Sequence, residues 1–293
     1  MTTKDTTATP LVVDVDWLAA HEDDPGVVVV DTTTFLTLPE GDGYYDVESG
    51  REAYRKGHIP GAVFADLLHD LADENAPYQF TALDSDTFAQ RIGALGIGND
   101  AHVVVYDQGQ LMWATRLWWN LRFEGFDDIS VLEGGFPAWR DAGLPVATGD
   151  ETREPTTFTA RRRPELRADV DRVLAATEDE RSLLVYVLDP ESFRGEKVTY
   201  ARPGHIPTSK NVPVMSLYGG PGQVATTEQV EQAFGGTGAL DGDKQVITYC
   251  GGGIAATYSA FNLARLGRDD VAVYDGSMTE WAADPELPLE TGG

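Results

Sequence analysis

The chain is poor in the side chains that most often bind metals, pair with anions or cross-link: one cysteine, five histidines and five lysines in 293 residues. A single thiol excludes an internal disulfide and falls short of a cysteine-based metal site, so Cys250 is packing, a ligand without partners, or a reagent. No run approaches the roughly 18 apolar residues of a membrane span. The start, "MTTKDTTATPLVVDVDWL", lacks the basic region and apolar run of a secretory leader, and the expected address is the cytoplasm. Cations are scarce overall: 22 Lys and Arg stand against 48 Asp and Glu, a net charge of −26. Such a field repels nucleic acid and anionic membranes, which excludes both as partners. The triplet Arg161, Arg162, Arg163 is therefore read as pairing with the acidic surface. High salt screens self-repulsion, and the acidity is read as adaptation to a salt-rich cytoplasm of the kind found in halophilic archaea.

What the chain does have is apolar residues, 42% of the total, which suffice to bury the cores of one large domain or two ordinary ones. It also repeats itself. "KGHIPGAVFADL" at 56–67 returns as "PGHIPTSKNVPV" at 203–214, "AHVVVYDQG" at 101–109 as "KQVITYCGG" at 244–252, and "ISVLEGGFPAW" at 129–139 as "VAVYDGSMTEW" at 271–281. The offsets are 147, 143 and 142 residues, so order and spacing persist and the chain is a duplication. The polar, Thr- and Pro-containing stretch 146–164 reads as the linker, which places one domain at 8–148 and the other at 165–290.

Each half alternates short apolar runs with helical patterns. "VVVVD", "HVVVYD" and "ISVL", then "LLVYVL", "QVITYC" and "VAVYD", read as buried strands. "SDTFAQRIGALG", "MWATRLWWNLRFEG" and "GIAATYSAFNLARLG" carry apolar residues at three- and four-residue spacing and end at glycine. The alternation predicts an α/β protein of two tandem domains, each a mainly parallel sheet flanked by helices.

Cys250 ends one of these strands. Behind it Gly251, Gly252, Gly253, Ile254 and Ala255 lead into a helix whose N-terminus offers unpaired N–H groups. Three glycines let the loop curl so that successive amides converge on one point. A thiolate placed there is stabilised, exposed for attack, and able to keep a charged outer sulfur after accepting one. A related cradle that binds phosphate or arsenate needs an arginine six residues after the cysteine to clamp the oxyanion. Position 256 is alanine, which disfavours that chemistry.

The paired "GHIP" turns, the cysteine at a strand end before a Gly-rich loop, the "GG…W" element and the duplication together resemble the tandem-domain rhodanese-type sulfurtransferases, over nearly the whole chain. The resemblance implies that only the second domain is catalytic and that Cys250 carries a persulfide between a donor such as thiosulfate and an acceptor such as cyanide or a thiol. It implies no metal or organic cofactor. Asp107 takes the cysteine's place in the first domain, as an inert replacement or a helix cap. The alternative readings are a 3-mercaptopyruvate sulfurtransferase and a non-catalytic persulfide carrier that serves a protein acceptor. The loop departs from both donor-specific patterns of the family, lacking cationic residues and having Gly252 where a serine is expected; Tyr186 and Leu188 stand where an Asp-x-Arg is usual. Arg194 is thus the expected anion-binding residue, ahead of Arg202 and Lys197, and Trp113 or Arg116 is expected to line the cleft. His58 and His205 recur in both halves and are read as structural.

Overall fold

Val27, Val28, Val29, Val30 and Asp31 are all buried, which a strand achieves only when both faces of its sheet are covered. The computed structural model describes residues 9–38, 40 and 42–292 and shows that cover. In the first domain five parallel strands run in the order Val12–Val13, Ile129–Leu132, His102–Tyr106, Val27–Asp31 and Val63–Phe64. The second domain repeats that order with Arg167–Ala168, Ala272–Tyr274, Gln245–Tyr249, Ser182–Tyr186 and Lys210–Asn211. Residue 8, taken as the start of the first domain, lies outside the described residues.

The duplication extends to single hydrogen bonds. His58 and His205 are buried, and each bonds through Nδ1 to a backbone carbonyl, Tyr54 at 2.8 Å and Phe193 at 2.7 Å. Each ring also stacks on the residue whose carbonyl it meets. Tyr106 accepts from the amide of Ile59, and Tyr249 from that of Ile206. Trp139 and Trp281 donate to the carbonyls of Pro145 and Pro288. These histidines tie each turn to the short helix before it, a structural role as expected, while the tyrosines tie it to the sheet.

The helices Met112–Phe123 and Ile254–Arg265 pack against each other across the domain boundary. Small residues allow the close approach: the hydroxyls of Thr115 and Thr257 meet at 3.2 Å, and Trp118 lies edge-on to Phe261. Each domain also lends a hairpin to the other. The first domain's hairpin, Thr34–Thr37 with Asp46–Ser49, sends the amide of Gly43 to the carbonyl of Val198 at 3.2 Å. The second domain's hairpin, Tyr218–Gly220 with Gln223–Val224, receives the amide of Gly134 at Gly222 and sends the Tyr218 hydroxyl to the carbonyl of Gln110.

Stretch 146–164 is less free than a linker of its composition suggests. Phe158 is buried against Phe88 and Phe126. The amides of Thr156, Arg161 and Arg163 bond to the carbonyls of Gly93, Glu124 and Phe123, strapping the segment along the first domain. Arg162 pairs with Glu124 and Arg163 with Asp127, so two of the three consecutive arginines are neutralised by acidic neighbours.

Candidate active site

Cys250 follows the C-terminal end of the central strand Gln245–Tyr249, where the parallel sheet opens beside the Ile254–Arg265 helix. Its own amide bonds to Ser277 Oγ at 3.1 Å, and that hydroxyl donates to the carbonyl of Tyr274. Three carbonyls of the loop are held from outside. The amide of Met278 takes that of Cys250 at 3.1 Å, the amide and hydroxyl of Thr279 take that of Gly251 at 2.9 and 2.8 Å, and Arg116 Nη1 takes that of Gly253 at 3.2 Å. A trans peptide is planar, so fixing a C=O in one direction aims the next residue's N–H in the other. The amides of Gly251, Gly252 and Ile254 are thereby turned away from these anchors. Among the described residues, none of the amides from Gly251 to Ala255 donates to an oxygen.

The first domain contains the same cradle with its occupant built in. Asp107 Oδ1 accepts from the amides of Gly109, Gln110 and Leu111 at 2.8, 2.9 and 2.9 Å, and Oδ2 from those of Trp113 and Ala114 at 3.2 Å. Burial raises the Asp107 carboxyl above its ordinary value, and the backbone donors pull it back. All five contacts are N–H donors, which an ionised carboxylate uses fully. Asp107 therefore caps the helix as expected, and also shows what such a loop holds: an anion. Leu111 at φ 61° and Gly253 at φ 76° make the matching left-handed step into the two helices.

Cys250 is only 2% exposed, less than an attacking nucleophile was expected to be. It sits in the wall of a cavity of about 760 Å³ between the domains, with Gly251, Gly252, Ile254, Ala255 and, from the first domain, Trp113. Gly253 is not in that wall; it forms the turn behind it. A Cβ at Gly251 would stand 2.0 Å from the Tyr200 hydroxyl, and one at Gly252 3.0 Å from the Tyr45 hydroxyl, so two phenols lie directly on the loop. Burial, reinforced by neighbouring tyrosines, holds the Tyr45, Tyr186 and Tyr200 phenols well above their usual range. They keep their protons and can donate hydrogen bonds.

The cation at this cavity is not the expected one. Arg194 is absent from the wall: its guanidinium forms a two-pronged pair with Glu196, Nε to Oε1 at 2.8 Å and Nη2 to Oε2 at 2.7 Å. Arg202 is committed to the carbonyls of Trp281, Ala282 and Leu287. Lys197 is the one cationic side chain among the described lining residues. Arg116 does not line the cleft and is buried behind the loop. A second cavity of similar volume has Glu48, Glu52, Asp66, Asp73 and Glu74 in its wall against Arg51, which is paired with Asp66 and Asp70, and His69; it contains no thiol and is unsuited to an anionic donor.

Tyr45, Tyr200, Ser277 and Thr279 were not anticipated from sequence. A signal for the last two existed: the first repeat has Gly135 and Pro137 where the second has Ser277 and Thr279, so these hydroxyls occur only beside the thiol.

Comparison with known proteins agrees with this geometry. The rhodanese-like domain model matches twice, at residues 14–142 and 169–284. The 3-mercaptopyruvate sulfurtransferase of Escherichia coli is 36% identical over 282 residues, covering 95% of this chain and 97% of that protein. A thiosulfate/3-mercaptopyruvate sulfurtransferase of Arabidopsis thaliana is 32% identical over 304 residues, covering 96% and 78%. The crystal structure of SseA, a 3-mercaptopyruvate sulfotransferase from Escherichia coli, superposes with a TM-score of 0.80 at 33% identity, covering 92% of this chain and 99% of that one.

Proposed function

Because the chain belongs to the rhodanese family and is a sulfurtransferase, we propose that Cys250 is the group on which the travelling sulfur rests. The observation that carries this reading is the contrast between the two loops: amides converge on the Asp107 carboxylate in one, and in the other the amides that follow a thiol leave their hydrogens unspent among the described residues. The Cys250 thiolate attacks the outer sulfur of thiosulfate, and the S–S electron pair departs with sulfite. With 3-mercaptopyruvate the C–S pair departs as the enolate of pyruvate, which takes up a proton equivalent to the one the transferred SH gives off. Either step leaves Cys250 as a persulfide anion, held by the amides of Gly251, Gly252, Ile254 and Ala255. A thiol or cyanide then attacks the outer sulfur, and the bond pair returns to Cys250.

The wall of the cavity favours 3-mercaptopyruvate as the better donor. One cation, Lys197, with the phenols of Tyr45 and Tyr200 suits a single carboxylate and a keto oxygen. A dianion such as thiosulfate is used, with weaker binding. Leu38 and Met215, 60% and 74% exposed at the same cavity, favour an acceptor thiol presented by a protein over a small one. The domain extents 8–148 and 165–290 and a salt-rich cytoplasmic setting complete the reading. Among the described residues no helix is long and apolar enough to cross a membrane.

The test is covalent. Incubation with either donor adds about 32 Da, one sulfur atom, removable by cyanide or thiol. Cys250→Ser keeps the fold and loses turnover; full activity in that variant refutes the reading.

A further inference from the structure

The loop that carries Cys250 belongs to the second domain, yet one of its carbonyls is held by a side chain of the first. Arg116 is 1% exposed and its guanidinium is fixed on several sides. Nη1 donates to the carbonyl of Gly253, while Nη2 donates to Asp275 Oδ1 at 2.7 Å and to the carbonyl of Phe80; its carbon lies 4.8 Å from the Trp119 ring centroid. Asp275 Oδ2 in turn receives the amide of Ala82 at 2.9 Å. A second thread runs through Tyr44, whose hydroxyl lies 2.8 Å from Thr279 Oγ1. That threonine hydroxyl donates to the carbonyl of Gly251, and Tyr44, whose hydroxyl also reaches that of Tyr45 at 3.3 Å, has the nearer acceptor for its one proton in Thr279 Oγ1.

We propose that the cysteine-free domain sets the reactivity of Cys250 through two positioning residues, Arg116 and Tyr44. The inference rests on Cys250 being the nucleophile. Arg116 holds the C=O of the Gly253–Ile254 peptide, which turns the N–H of Ile254 to the opposite side, away from Arg116. Tyr44, through Thr279, does the same for the Gly251–Gly252 peptide. Neither residue touches substrate; both act by keeping donors aimed at an anion before it forms, the condition under which such donors are most effective. The two repeats differ at this helix position. Tyr258 occupies the position of Arg116 on the partner helix, and its hydroxyl goes to the carbonyl of Leu217 in its own domain. The first-domain loop, already filled by Asp107, is held across the boundary from elsewhere, by the Tyr218 hydroxyl at the carbonyl of Gln110.

Because Cys250 is the only cysteine, the rate of its alkylation by iodoacetamide at fixed pH reads its reactivity without sulfur transfer. Arg116→Lys keeps a charge for Asp275 but loses the fork that spans from Asp275 to Gly253. In that variant alkylation and kcat each fall about tenfold, while the donor KM stays within about twofold. Alkylation and kcat at the wild-type level overturn the proposal. Should the lysine variant not fold, Tyr44→Phe decides, since it removes one half-exposed hydroxyl: about threefold slower alkylation supports the proposal, and an unchanged rate overturns it. Turnover in Cys250→Ser is read separately. If that variant is active, the nucleophile is wrong; if it is inactive while Arg116→Lys alkylates normally, only the positioning is wrong.

Discussion

Arg194 and Lys197 stand three residues apart, and Glu196 between them decides which one faces the cavity. Its carboxylate matches the planar fork of Arg194 in two parallel hydrogen bonds, a geometry a lysine ammonium cannot offer. The same pairing raises the Arg194 guanidinium and lowers the Glu196 carboxyl from their ordinary values. Lys197, left out of that pair, lines the cavity with Cys250. Lys197→Ala therefore raises the KM for 3-mercaptopyruvate about tenfold, the loss of one charge-assisted hydrogen bond of about 1.5 kcal/mol, with a smaller effect on kcat. Arg194→Ala leaves that KM within about twofold. Steady-state kinetics of both variants at one salt concentration check the pair, and the reverse ranking restores Arg194 to the site.

At the scale of the element, the Cys250 loop functions because nothing but glycine fits beneath its roof. Gly251 needs no unusual backbone angle, so its role is space: the Tyr200 hydroxyl occupies the volume that any Cβ would take. Gly251→Ala pushes Tyr200 off the loop and lowers kcat about tenfold with the fold retained; adding Tyr200→Phe recovers part of it, a non-additivity that a double-mutant cycle measures. Wild-type kcat in Gly251→Ala shows that the roof is not needed. The strands, the paired helices and the loop itself were legible because each is written locally, as an apolar run, a glycine stop or a strand-end cysteine, and because each is written twice. Tyr44, Tyr45 and Arg116 were not legible as loop partners, since they reach Cys250 across the domain boundary and have no counterpart in the repeat. Arg116 was legible only as a cleft residue, not as a clamp on the loop. Its meaning depends on Asp275, 159 residues away, with which it is buried.

At the scale of the molecule the dominant quantity is the charge of −26, spread over domains joined by contacts that are partly polar. Exposed arginines mostly spend their charge on close neighbours, as Arg55 does on Glu52 and Asp150 and Arg140 on Asp141, leaving the excess carboxylates to repel one another. Repulsion between exposed charges weakens as the Debye length falls from about 10 Å at 0.1 M salt to about 3 Å at 1 M. The thermal midpoint therefore rises by about 10 °C from dilute buffer to molar KCl, the shift that a few kcal/mol of relieved repulsion gives a chain of this size. The shape of the rise carries more information than its extent. Screening is largely complete by about 0.5 M, where the Debye length is already near atomic dimensions, so a midpoint that levels off there reports repulsion alone. A midpoint that keeps climbing above 1 M reports ions and water held by the carboxylates themselves, the signature of adaptation to salt. Lys197 opposes this trend at the active site, because its half-exposed charge is screened by the salt that steadies the fold. Thiosulfate, which depends most on that cation, loses affinity with KCl faster than 3-mercaptopyruvate does. Melts and donor kinetics over one KCl series test both effects together, and a midpoint indifferent to salt removes the halophilic reading while leaving the chemistry at Cys250 untouched.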